Sequence, residues 1–169
     1  MATGAAAWKF GENATFRTFQ PWLTTAARLG LAVVLFWAGW AKINEAPGLR
    51  QLAVSEYQVL PDGMVNVVSI GLPLLEICLA IMLVVGFATR FTAAAGGLLM
   101  VIFIAGIISA WSRGLRINCG CFGGAGQVAD PHYLREIFRD LGFLALAAWI
   151  VALPKSKLAL DRLLGLYTD

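Results

Sequence analysis

Apolar residues run through this chain in four long blocks separated by short polar breaks. A membrane-crossing helix needs about 20 mostly apolar residues, because each adds ~1.5 Å across ~30 Å of hydrocarbon. The blocks run from Trp22 to Ile43, Met64 to Gly86, Phe91 to Trp111 and Pro131 to Leu153. Pro47-Gly48 and Pro61-Asp62-Gly63 bracket the first break, and Leu49, Leu52, Ala53 and Tyr57 between them fall at helical spacing. That spacing predicts a short helix lying along the membrane surface. Thr89-Arg90 makes a tight second connection, which predicts antiparallel neighbours. Asp130 as an N-cap and Pro131 at the first helical position predict the start of the fourth helix. Pro154 ends that helix. Leu160, Leu163, Leu164 and Tyr167, interleaved with Lys157, Asp161 and Arg162, predict a C-terminal interfacial helix.

The expected fold is therefore all-α, a four-transmembrane-helix bundle over residues 22–153. An N-terminal segment, 1–21, precedes it and an interfacial segment, 154–169, follows it. Ala93 and Gly97 share one face of the third block, and Ala38 and Gly39 lie in the first, so close helix packing is expected there.

Composition strengthens this picture. Hydrophobic residues make up 59% of the chain and charged residues 14%, against about 25% charged in an ordinary soluble domain. Lipid takes the apolar surface that a sphere of this size could not hide. The net charge of +3 comes with no basic stripe and no stacking platform, which argues against nucleic acid. Residues 1–20 contain Lys9, Glu12 and Arg17 and no apolar h-region, so the first block is expected to remain as a span. Six basic residues flank each side of the four expected spans, so charge counting does not orient them.

The break between the third and fourth blocks carries the chemistry. It reads Arg113-Gly114-Leu115-Arg116-Ile117-Asn118-Cys119-Gly120-Cys121-Phe122-Gly123-Gly124. Two cysteines one residue apart can close only a small ring, which forces the bond torsion from its preferred value and makes the disulfide easier to reduce. Gly120 relieves part of the backbone cost. Arg113 and Arg116 are positioned to favour the thiolate, the reactive form. A loop-exposed pair of this kind suits thiol–disulfide exchange. A structural disulfide would restrain little chain, and a metal site would need more ligands than His132 and Asp130 supply. No metal is expected. Cys78 lies about 14 residues, roughly 20 Å, from the outer end of its helix and is expected to be a buried small hydrophobe.

Two charges fall deep within the blocks, Arg28 and Glu76. Buried ions are costly without partners, so these two are expected to pair and to set which helices meet. Lys42 is expected to snorkel from its helix end. Arg139-Asp140 are placed to contact Lys42 or the cysteine loop.

Several of these residues occur in a recognisable order. Arg28 with Gly30, Gly39 and Lys42 come first, then Tyr57 with Leu60-Pro61, then Leu72-Pro73 with Glu76. Gly86 and Arg90, Cys119-Gly120-Cys121-Phe122-Gly123, and Arg139-Asp140 complete the series. It resembles the MauE/DoxX family of redox-associated bacterial membrane proteins from about Arg28 to Leu153, and the cysteine pair points to the MauE branch. The resemblance implies a four-helix bundle in a bacterial plasma membrane. It also implies a role in disulfide formation or electron transfer beside a thioredoxin-like or DsbA-like partner. The role associated with the MauE branch is maturation of a disulfide-rich periplasmic dehydrogenase subunit. The architecture is similar to that of the quinone-linked DsbB and VKOR oxidases. Those use two cysteine pairs, whereas one pair is visible here, so a partner or a quinone would supply the second redox centre.

The functional expectation is a membrane thiol–disulfide redox protein with no covalently bound cofactor. It would pass electrons through Cys119 and Cys121 between an extracytoplasmic partner and a quinone or other membrane acceptor. Both termini would be cytoplasmic and the cysteine loop extracytoplasmic, a placement argued from the thiol chemistry. The rival expectation is a non-catalytic accessory subunit of a larger respiratory or quinone-linked complex.

Overall fold

The computed structural model describes residues 14–124, 126–153 and 159–160, without the side chains of residues 14–18 and 62. The C-terminal interfacial helix expected beyond Pro154 lies almost wholly outside these residues, as does most of the N-terminal segment. Five helices follow in order: α1 (Ala14–Ile43), α2 (Pro47–Ser55), α3 (Asp62–Val85), α4 (Thr89–Ser112) and α5 (Tyr133–Ala152). The expected all-helical architecture and the short α2 are both present. The fourth expected helix starts later than the sequence suggested. His132, not Asp130, stands at its N-cap, and the His132 ring nitrogen Nδ1 is 2.9 Å from the Asp130 carbonyl oxygen.

Among the described residues three helices are long and apolar enough to cross a bilayer: α1 from Phe19 to Ile43, α3 from Gly63 to Val85, and α4. Among the described residues α5 does not meet that description. Its first two turns carry Arg135, Glu136, Arg139 and Asp140. Charge raises the cost of lipid burial, and that is why composition alone supports three spans and not the four expected. The geometry adds a qualification. Asp140 is buried, Glu136 and Arg139 are half-buried, and the same turns present Leu134, Phe138 and Leu141 outward. Three of the four charges thus face the protein.

The outer surface of the long helices is apolar. Trp22, Val33, Trp37 and Trp40 of α1, Val67, Leu74 and Ile81 of α3, and Phe91, Leu98 and Ile102 of α4 are all exposed. A monomer in water rarely shows so much contiguous apolar surface, and lipid is its natural solvent. Cys78 also lies on this outer surface and is not buried as expected.

Inside, Leu31 and Leu35 of α1 meet Leu79 and Leu83 of α3, Met100 of α4 and Ile150 of α5. Small residues set the helix spacing. A Cβ built on Gly97 of α4 would lie 3.2 Å from the Ala147 Cβ of α5, so the small face of α4 is the α5 contact. Gly39 is tighter still. A Cβ there would stand 2.8 Å from both Ile77 Cγ1 and the Pro73 carbonyl oxygen of α3. Gly39→Ala therefore forces α1 and α3 apart, with an expected loss of about 1–3 kcal/mol. Thermal unfolding in detergent checks this, and an unchanged midpoint would refute the contact.

The contacts of Gly39 and Arg28 fix the α1–α3 register. Gly39 sits against Pro73 to Ile77, and the Arg28 guanidinium lies beside Gly86 at the C-terminal end of α3. Ten residues, about 15 Å of helix, separate Gly86 from Glu76. Arg28 and Glu76 are therefore not brought together, contrary to expectation. Lys42, four turns beyond Arg28 on α1, reaches Glu76 instead.

Candidate functional site

The α4–α5 connection forms a small structured lobe at one end of the bundle. It is folded back on itself, with hydrogen bonds from Asn118 N–H to the Gly126 carbonyl and from Val128 N–H to the Arg116 carbonyl. Tyr133 at the start of α5 ties down its base, donating to the Leu115 carbonyl at 2.5 Å and accepting from Ile117 N–H at 3.1 Å. The tip of the lobe holds Cys119 and Cys121, joined as a disulfide. Gly120 between them has φ of +64°, a left-handed conformation that glycine adopts at little cost.

Four further groups hold the tip in place. The Tyr57 hydroxyl, from the α2–α3 connection, donates to the Cys119 carbonyl at 2.8 Å. Burial, reinforced by Glu136, raises the Tyr57 phenol above its ordinary pKa, so it remains a donor at neutral pH. Glu45, just past α1, accepts the Gly124 N–H, and Glu56, just past α2, accepts the Gly126 N–H at 3.1 Å. The Arg139 guanidinium stacks over the Phe122 ring, 4.7 Å from its centroid, and bonds to Asp140 at 2.9 Å. Contact between Arg139-Asp140 and the cysteine loop was expected from sequence. Tyr57→Phe leaves the Cys119 carbonyl without its donor. A stability loss of about 0.5–1.5 kcal/mol is expected, with faster amide exchange at Gly120 and Cys121 by mass spectrometry.

The pair is not exposed to water as the loop position suggested. Cys119 and Cys121 are each only 7% exposed, because Ile107 of α4, Tyr133 and Ile137 of α5 and the neighbouring Phe122 pack around them, with Ala53 of α2 against Gly120. What they face is a cavity of ≈ 370 Å³ enclosed by α1, α2, α3 and α4. Both cysteines line it, along with Lys42, Tyr57, Leu72, Ile102 and Phe103.

The two arginines expected to favour a thiolate are engaged elsewhere. Arg113 donates to the Tyr57 carbonyl at 2.5 Å and to the Gln58 carbonyl, and Arg116 donates to the Ala129 carbonyl at 3.4 Å. They brace the lobe. The cations that share the cavity with the sulfurs are Lys42 and Arg50, and Lys42 is the more deeply buried. Its ammonium lies 2.6 and 2.9 Å from the two Glu76 carboxylate oxygens and 5.3 Å from the Phe103 ring centre. Lys42 is buried and paired, so it does not snorkel.

Sequence reasoning missed the parts played by Glu45, Glu56 and Tyr57. The glutamates lie 79 and 70 residues from the amides they hold, and each reads locally as an ordinary acid in a polar connection. Tyr57 was visible as a member of a helically spaced set and of the family series, with no sign of its bond to Cys119. Among the described residues no group of three or more His, Cys, Asp or Glu side chains could hold a metal ion.

Comparison with known proteins identifies the family. Residues 20–153 match the family described as Methylamine utilisation protein MauE. The chain is 31% identical over 129 residues to the Methylamine utilization protein MauE of Paracoccus denitrificans, covering 76% of this chain and 68% of that protein. No solved structure matches the chain.

Proposed function

The chain belongs to the MauE family, and from that premise we propose that it is a membrane thiol–disulfide exchange protein acting in a methylamine utilisation system. The observation that carries this reading is the disulfide-joined pair Cys119–Cys121 set in the wall of an apolar cavity. A disulfide serving only to brace the lobe would close a ring too small to restrain much chain. The lobe is already held by Glu45, Glu56, Tyr57 and Tyr133 without it.

In the proposed reaction a thiolate of an extracytoplasmic, thioredoxin-like or DsbA-like partner attacks Cys119 or Cys121. A mixed disulfide forms, and the other cysteine leaves as a thiolate. The partner's second thiol then breaks the mixed disulfide, so that the partner departs oxidised and this chain holds two thiols. A membrane acceptor takes the two electrons and restores the pair. Because both sulfurs are covered, the partner reaches them only after the lobe or α2 lifts. The α5 helix is a fourth span in this reading, supported by its inward-facing charges and outward Leu134, Phe138 and Leu141. Both termini are then cytoplasmic and the lobe is extracytoplasmic.

Alkylation with mass shift in intact membranes, combined with Cys119→Ser and Cys121→Ser, tests the reading. One serine variant is expected to trap a disulfide-linked partner under mild oxidation, and the wild-type pair to cycle between two redox states. A pair locked in one state, with no partner trapped by either variant, would sink it. Full activity in the double-serine variant would instead favour a non-catalytic accessory subunit.

A further inference from the structure

We propose that the cavity beside the cysteine pair binds a membrane quinone, which takes the two electrons from the reduced thiols. This deepens the reading above and rests on it for the thiol chemistry.

The cavity, at ≈ 370 Å³, falls within the range of about 300–1,000 Å³ typical of small-molecule sites. Its middle is apolar, lined by Val68, Leu72, Ile102 and Phe103, while Lys42, Glu45, Arg50, Tyr57 and the cysteines form its polar end. Val59 and Ile102 line it and are also exposed, so it opens through the apolar outer surface that faces lipid. An occupant therefore enters from hydrocarbon, is apolar over most of its length, and brings a polar end to Lys42 and the sulfurs. A phospholipid acyl chain meets the first two conditions, but its tip carries no polar atom and accepts no electrons.

A quinone meets all three. It has a flat ring, an apolar tail and two carbonyl oxygens that accept hydrogen bonds. The Lys42 ammonium carries three N–H bonds. Glu76 engages two of them, which leaves one for a quinone oxygen. Its positive charge also complements the negative charge that develops on that oxygen during reduction. The sulfurs, almost closed to water, meet small molecules through this cavity.

The step balances. The S–H bonds of Cys119 and Cys121 break and one S–S bond forms, releasing two electrons and two protons. The two quinone oxygens gain two O–H bonds, and the quinol leaves by the lipid-side opening.

The test uses the full chain in phosphatidylethanolamine–phosphatidylglycerol nanodiscs, reduced and freed of reductant, with coenzyme Q1 as the probe. Quinol is expected to form in step with loss of alkylatable thiols. Val68→Phe, which fills the cavity from α3 and leaves the cysteines and Lys42 in place, is expected to raise the half-saturating quinone concentration about tenfold, equivalent to ~1.4 kcal/mol of binding. An unchanged half-saturating concentration, absence of quinol, or equal slowing of a water-soluble oxidant such as diamide would overturn the proposal.

A second readout is independent of thiol chemistry. An azidoquinone applied to the Cys119→Ser/Cys121→Ser variant is expected to label Leu72 or Ile102, and to label them less when Val68→Phe is added. Label placed elsewhere, or a phospholipid that quinone fails to displace in native mass spectrometry, would overturn the site. Labelling of the cavity with a wild-type pair that quinone never oxidises would overturn the electron transfer, leaving thiol exchange to its own trapping experiment.

Discussion

Glu76→Leu is expected to destabilise the folded chain by about 3–5 kcal/mol, because it leaves the Lys42 ammonium buried without its counter-ion. Glu76 is fully buried and the Lys42 side chain is 11% exposed, so water screens the pair very little. Lys42→Met is expected to cost a similar amount from the other side. The double variant Lys42→Met/Glu76→Leu removes both charges and keeps approximate volume, so most of the loss is expected to be recovered. Thermal or denaturant unfolding in detergent, read as a double-mutant cycle, checks this. Additive losses would show that the two groups act independently and that the close approach of their atoms carries little energy.

The second large effect is expected at the lobe. Glu45→Ala with Glu56→Ala removes both carboxylates that hold its backbone, at Gly124 and Gly126. Hydrogen bonds to charged groups contribute about 1.5–3 kcal/mol each. Losing the two, even with partial replacement by water, is expected to raise the open fraction of the lobe more than about tenfold, since ~1.4 kcal/mol is one decade. Reduction of the Cys119–Cys121 disulfide by a bulky water-soluble phosphine is expected to accelerate by the same factor. Amide replacements, Glu45→Gln and Glu56→Gln, keep an acceptor and are expected to show a smaller change. A reduction rate that ignores all four substitutions would mean that the sulfurs are shielded by something other than this clamp.

Much of the scaffold was legible in the chain because lipid imposes simple demands. Twenty or more apolar residues in a row, ended by Pro47-Gly48, Pro61-Asp62-Gly63 or Thr89, leave few alternatives to a membrane helix. The cysteine pair was legible because spacing alone fixes the ring that it can close. What the sequence concealed was relative placement. Nothing local states the register at which α1 slides along α3, so the sequence pointed to Arg28 as the partner of Glu76, whereas the seating of Gly39 against Pro73 and Ile77 brings Lys42 there. The same holds for the covering of the sulfurs. It depends on Tyr57 bonding across 62 residues to Cys119, and on Ile107, Tyr133 and Ile137 packing against the pair from α4 and α5. The charges of α5 illustrate a third kind of concealment. A count penalises them equally, whereas rotation of the helix turns Glu136, Arg139 and Asp140 inward.

The packing that closes Cys119 and Cys121 off from water has a consequence for their surroundings. Dissolved low-molecular-weight thiols equilibrate readily with a disulfide standing in water, and would drag it toward the poise of the compartment. Here that exchange is expected to be slow, because each cysteine is only 7% exposed. The state of Cys119–Cys121 would then follow the molecules that reach it through the cavity or on opening of the lobe, and not the ambient buffer.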